Sequence, residues 1–370
     1  MQSTRTEQAS RKGSARIFEY DFLRVVAMVF VVAVHALGAI DITHPGSLFF
    51  SRLMRATLYT CNGLFFMLSG YFALAPTKKS YGAYYTEKVA SIGIPMLCIY
   101  LLRTVYERLY LHMDDYPLGE AYLRNLFSDF HGYEYWFLFV LVSMLLIAPV
   151  LAKGFAHFSR KDHLVLLSVL ILHNTLKTVV EQLDVVYFYH STFTDWFFYF
   201  YLGHALPKVM PEKRHQRWVM IAGPFCLAAT VVLSYLNITE YIYDLSPVYT
   251  VWTVATFFAV CGIGRRVRST AVQRIFTGIA RHSFTVYLTH VMILTPIFAI
   301  YQAPVMQSGL LSIPLYLLLT LVILLISLAL AFLLDHTLLR LLRAVYTAAV
   351  RAVTRALRPE QPKGESHHAL

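Results

Sequence analysis

Apolar residues run through this chain in long blocks, each near the ~20 residues that carry a helix across the hydrocarbon core of a bilayer, with short polar segments between them. Ten such blocks are readable, at 22–40, 56–75, 92–111, 135–151, 164–180, 193–206, 218–236, 248–263, 284–301 and 311–334. The pattern predicts an all-α, polytopic integral membrane bundle of about ten transmembrane helices. Three blocks are imperfect: the third carries Arg103, Glu107 and Arg108, the fifth carries Lys177, and the sixth is short.

Composition agrees with the blocks. Of 370 residues 57% are hydrophobic and only 14% charged, with a mean hydropathy of +0.55. No soluble core hides that much apolar surface, which excludes nuclear, disordered, fibrous and secreted classes. The net charge of +11 would suit a nucleic-acid binder only if the basic residues shared a face. They follow the spans instead. With the N-terminus inside, 25 of the 32 Lys and Arg fall in inner segments and 6 in outer ones, Arg24 lying within the first span. By the positive-inside rule both termini are then cytoplasmic. The basic start of the chain imitates a signal peptide, but Arg24 and His35 interrupt the apolar stretch behind it, so an uncleaved first helix is expected. Cys61, Cys98, Cys226 and Cys261 each sit alone in an apolar run and read as packing residues, with no metal-ligand spacing.

No loop is long enough for a separate domain; the longest runs from about Arg103 to Glu134. The expected organisation is one membrane domain over 1–340 and a tail over 341–370. In that tail region Arg340, Arg343, Arg351, Arg355 and Arg358 recur among apolar residues at helical spacing, as on a helix lying on an anionic leaflet.

Ionisable groups inside a span are costly enough to mark function. In the first span, Arg24 and His35 are eleven residues apart, which on a helix is about 20° in azimuth and about 16 Å in depth. They share one stripe, with Asp21 one turn before Arg24 and able to pair with it. Against this stand two bland readings, an interfacial anchor for Arg24 and a histidine bonded to a carbonyl for His35. Asp21 lies about 21 Å from His35 along the helix, so any group that orients the imidazole comes from another helix. Glu134, beside Trp136 at the outer end of the fourth span, is a candidate carboxylate.

Five segments carry a resemblance: DFLRVVAMVFVVAVH (21–35), NGLFFMLSGYF (62–72), YWFLFVLVSMLLIAPVL (135–151), WFFYFYLGHAL (196–206) and SFTVYLTH (283–290). In this order, on a ten-helix plan, they resemble the acyltransferase-3 family of integral membrane O-acyltransferases. Within it the chain is most similar to the short, single-domain kind that modifies surface polysaccharides such as enterobacterial common antigen. The resemblance implies transfer of an acyl group, usually acetyl, from cytoplasmic acyl-CoA to a hydroxyl of a surface or lipid-linked glycan, in a bacterial inner membrane. It implies no bound cofactor or metal and no nucleic-acid partner; acetyl-CoA would be a substrate, and glycan, acyl-CoA and membrane lipid the partners.

His35 would be catalytic, either as a general base, for which an unperturbed pKa near 6.5 suits imidazole, or as a transient acyl carrier. Arg24, Lys88 and Asp21 would bind or support the acyl-CoA. The family often places two arginines three apart before a proline in the third helix, where this chain has Lys88 and Ser91, so a double-arginine role extends no further than Lys88. His290, Tyr287, Trp136, Asn62, Ser69 and Glu134 are supporting candidates beside the reacting groups, each also readable as a helix-to-helix contact or interfacial anchor. Tyr187, Tyr189, Trp196, Tyr199 and Tyr201 read as an aromatic belt, with sugar stacking as the alternative.

A flippase of lipid-linked sugars would also need ten spans and buried polar groups, but such transporters show internal repeats, and the two halves here share none. A haem-binding electron carrier needs paired ligands at one depth on facing helices, and His35 and His290 alone disfavour that reading.

Overall fold

Within hydrocarbon a backbone group has no water to bond, so each apolar block satisfies its own N–H and C=O groups by becoming a helix. The computed structural model describes residues 17–76, 78–112, 116–128, 133–182, 192–236 and 245–357, and there the chain is helical throughout, with no strand among the described residues. The helices are α1 (Phe18–Ala36), α2 (Pro45–Leu58), α3 (Thr60–Ala73), α4 (Tyr81–Lys88), α5 (Ile94–Tyr110), α6 (Leu118–Ser128), α7 (Trp136–Phe155), α8 (Arg160–Gln182), α9 (Thr192–Val209), α10 (Lys213–Tyr235), α11 (Pro247–Arg266), α12 (Thr270–Val305), α13 (Ser312–His336) and α14 (Leu338–Ala356). Among the described residues eight stretches are long and apolar enough to cross a membrane by themselves. The chain is an all-α polytopic membrane bundle.

The differences from the ten expected blocks have local causes. The second block holds α3, and the connection expected before it forms a further helix, α2, that meets α3 at Tyr59. The third begins eleven residues earlier than expected, because α4 continues into α5 through a π-helical turn, Val89–Gly93. Pro95 follows, and its missing N–H leaves the Ser91 carbonyl without its usual helical donor, which is where a wider turn is tolerated. The ninth block lies in α12, which has 36 residues. At 1.5 Å per residue that is about 54 Å, well beyond the ~30 Å hydrocarbon core. Arg103, where the longest expected loop begins, lies inside α5, and α6 fills part of that loop. Tyr187 and Tyr189 lie outside the described residues.

At the centre α1 packs against α3, α11 and α12, and α3 packs along α9. The α3–α9 crossing is tight because glycines face backbone: a Cβ on Gly70 would overlap the Phe200 carbonyl, and one on Gly203 the Met67 carbonyl. Small residues that admit such approach are a main source of helix association in lipid, where apolar burial alone gives little drive. Because α9 is central, Tyr199 and Tyr201 are fully buried in the core rather than standing in a belt. Polar pairs fix α9 to α8. The Lys177 ammonium lies 2.5 Å from the Asp195 carboxylate, and Lys208, 2.8 Å from His204 Nε2 on its own helix, reaches across to His163 Nε2 at 3.1 Å. The first pair is what makes the lysine of the fifth block tolerable inside the bundle.

Candidate active site

His35 closes the last turn of α1, and its Nδ1 lies 2.8 Å from the carbonyl of Val31 one turn back. A second imidazole comes from α12. His290 Nε2 stands 3.4 Å from His35 Nδ1, the rings 4.9 Å apart at 72°. His290 is fully buried and its Nδ1 is 2.7 Å from the Tyr287 carbonyl. These contacts select tautomers. A carbonyl only accepts, so His290 carries its proton on Nδ1 and presents a lone pair at Nε2. Both neighbours of His35 Nδ1 are then acceptors, so the neutral His35 is protonated at Nδ1 and its lone pair sits on Nε2. Among the described residues nothing hydrogen-bonds that Nε2.

His35 opens onto a cavity of about 340 Å³ walled by Tyr59, Asn62, Glu134, Trp136, Phe137, Trp196 and Tyr287, with Val31, Val34 and Cys61. Trp136 and Trp196 lie 4.7 Å apart, centroid to centroid. A second cavity of about 380 Å³ lies towards the Arg24 end of α1, lined by Arg24, Phe65, Ser69, Ser91, Arg281, Ser283 and others. Phe137 and Tyr287 belong to both linings, their rings 5.7 Å apart, and form the wall between the two. Arg24 Nη1 is 2.9 Å from Asp21 Oδ1, and Asp21 is buried. Arg281 is exposed at the mouth, with no carboxylate in ion-pair range among the described residues.

The sequence-expected residues divide between these cavities. His35, Asn62, Glu134 and Trp136 stand in the first, Arg24 and Ser69 in the second, with Tyr287 between them and His290 directly behind His35. Asp21 supports Arg24. Lys88 lines neither; its ammonium lies 5.5 Å over the Tyr84 ring, on an adjoining groove.

Sequence reasoning missed the group that holds Glu134. The Arg103 guanidinium bridges Glu134 Oε1 and Glu107 Oε1, the latter at 2.6 Å, and lies 5.0 Å over the Tyr135 ring. Asn125 from α6 donates to Glu107 Oε2 at 3.1 Å. Tyr135 donates to the Leu288 carbonyl at 2.6 Å, and Tyr287 donates to the Glu134 carbonyl. The start of α7 is thereby locked to the segment of α12 that carries His290. The available signal was the spacing of Arg103 and Glu107, one helical turn apart in an apolar block.

The comparisons follow from the same residues. The family model of the acyltransferase domain matches residues 17–332, which takes in every residue of both cavities. No curated protein and no solved structure matches the chain. A family match over most of the chain, on a polytopic helical bundle with a solvent-sized cavity at an oriented histidine, makes this protein a member of the acyltransferase-3 family, a membrane acyltransferase.

Proposed function

We propose that the protein transfers an acyl group, acetyl by family preference, from cytoplasmic acyl-CoA to a hydroxyl of a cell-surface or lipid-linked glycan in a bacterial inner membrane. The observation that carries this is His35, whose Nδ1 is held by two acceptors and whose Nε2 is left to a cavity backed against a second, cationic one. The Arg24 end faces the cytoplasm in this reading, as the distribution of Lys and Arg favours. Acyl-CoA phosphates would meet Arg281 at the mouth and Arg24 within, and the acyl arm would extend past Ser69 towards the Phe137–Tyr287 wall. The sugar would occupy the His35 cavity, where Trp136 and Trp196 offer stacking faces and Asn62 and Glu134 offer polar partners.

In direct transfer Nε2 takes the proton of the acceptor hydroxyl as its oxygen bonds to the acyl carbon. The C–S bond breaks, and the imidazolium returns the proton to the leaving thiolate. In the carrier route Nε2 bonds to the acyl carbon first and the thiolate leaves; the acceptor oxygen then displaces the imidazole and releases its proton. Both need a free Nε2 lone pair. His290 and Val31 would hold it in place, and Arg103 would hold Glu134 and Trp136 in the cavity wall.

Purified protein in lipid, given acetyl-CoA with and without envelope glycans, tests the reading. Wild type should consume more than one equivalent of thioester only when acceptor is present, and His35→Gln should lose about 10²- to 10⁴-fold or more of that turnover, the usual worth of a general base. Full turnover by His35→Gln, or movement of glycan with the thioester intact, would overturn it.

A further inference from the structure

A third cavity, of about 230 Å³, lies between α7 and the α4–α5 bend, walled by Val89, Ile92, Met96, Leu97, Leu146 and neighbouring apolar residues, with Lys88 as its one charged group. The tyrosines here present no free hydroxyl: Tyr84 donates to the Leu145 carbonyl at 3.0 Å and Tyr85 to the Leu146 carbonyl at 2.7 Å. Lys88 is half-buried, and its neighbour Glu87 is taken by Lys79 at 2.5 Å. Among the described residues its ammonium lies over the Tyr84 ring with no carboxylate in ion-pair range. A half-buried cation on an apolar groove is costly until an anion meets it. The groove also opens sideways, since Val89, Leu97 and Leu146 are 40%, 44% and 57% exposed on apolar helices that lie in lipid.

We propose that this groove binds a phospholipid of the bilayer with an anionic headgroup, one acyl chain against Ile92, Met96 and Leu97 and the phosphate on Lys88. Only an amphiphile satisfies both halves of the site: a free nucleotide would set its polar groups against the apolar side chains of the wall, and a neutral lipid would leave the ammonium without its full counter-charge. The π-helical turn makes the arrangement possible. It turns Ile92 so that it contributes to this groove and to the Arg24 cavity, while Ser91 faces the latter alone. Arg343 of α14 donates to the Ala90 carbonyl at 3.2 Å and fixes the turn from behind. The turn therefore separates a polar phosphate site, at Arg24 and Arg281, from an amphiphile site at Lys88. This assignment does not depend on acyl transfer.

Native mass spectrometry of the protein released from nanodiscs of equimolar phosphatidylcholine and phosphatidylglycerol reads the site directly. Wild type should retain phosphatidylglycerol about fivefold over phosphatidylcholine, the ratio that ~1 kcal/mol per lysine near an anionic headgroup gives. Lys88→Gln should equalise the two lipids. Leu97→Trp, at the exposed rim, should reduce retention of both while keeping the wild-type melting curve. Equal retention in wild type, or a preference that survives Lys88→Gln, would overturn the proposal. So would displacement of the retained lipid by excess acetyl-CoA, which would give Lys88 to the acyl donor.

Discussion

At the scale of single residues, the imidazole pair is decided by hydrogen-bond inventory. His290 gives His35 Nδ1 a second acceptor besides the Val31 carbonyl, and a net hydrogen bond is worth about 1 kcal/mol. His290→Phe should therefore slow turnover only about fivefold, against the much larger loss in His35→Gln, as measured in single-turnover acylation assays. Arg103 is a different case, because removing it leaves Glu107 and Glu134 buried without their cation. Breaking such a network costs about 3–5 kcal/mol, so Arg103→Ala should fail to accumulate as folded protein. Arg103→Lys keeps the charge but loses the planar fork that reaches both carboxylates, and should fold with reduced turnover. Size-exclusion profiles beside activity separate the two outcomes. Outside the spans, Asp41 accepts from the Thr43 hydroxyl at 2.6 Å and the Gly309 amide at 2.8 Å. Those bonds, led by the Thr43 hydroxyl, hold its carboxyl below the ordinary carboxylate value. A lowered folded-state pKa contributes stability that is complete above the unfolded value near 4 and lost as pH falls through the folded one. Asp41→Asn should accordingly flatten the acid limb of the melting-temperature profile while leaving neutral-pH activity in place.

Among elements, the α3–α9 crossing sets the geometry of the site. It fixes Asn62 and Ser69 on α3 relative to Trp196 on α9, and it exists because Gly70 and Gly203 let the two backbones meet. Backbone carbonyls do not move aside as a flexible side chain would. Gly203→Ala should cost about 1–3 kcal/mol, the usual range for overpacking, and lower the melting temperature in detergent; Gly154→Ala, where a Cβ meets open space, is the control. On α14, Leu341, Val345 and Val353 stay exposed on the same helix as Arg343, which reaches both Asp335 and Ala90. The tail helix thus joins the bundle through the buried Leu339 and through Arg343, and keeps an apolar stripe uncovered beyond them.

For the whole molecule, two cavities share one aromatic wall, with the histidine on one side of it and the arginines on the other. Such an arrangement suits a reaction whose two substrates approach from opposite faces. It makes orientation testable: reporter fusions after Arg266 should read cytoplasmic and fusions after Glu120 should read external. The reverse result would exchange the donor and acceptor sides.

Hydropathy blocks determined the helical membrane class, and the spacing of Arg24 and His35 placed both on one stripe of one helix, because a 3.6-residue period and a 1.5 Å rise act within a single segment. Within that segment the Asp21–Arg24 pair was legible for the same reason. The rest required contacts across helices. His290 is 255 positions from His35, and no period relates them; only the packing of α12 on α1 brings their nitrogens to 3.4 Å. Arg103 read as a flaw in a span because hydropathy assigns a cost to a charge without knowing its partner, and the partners stand on α5 itself and at the start of α7. Lys88 grouped with Arg24 by charge, yet the π-helical turn ahead of Pro95 directs it to another groove. Composition thus decided the solvent and the secondary structure, whereas tertiary packing decided which buried polar groups meet, since that depends on helix rotation and crossing rather than on any local pattern.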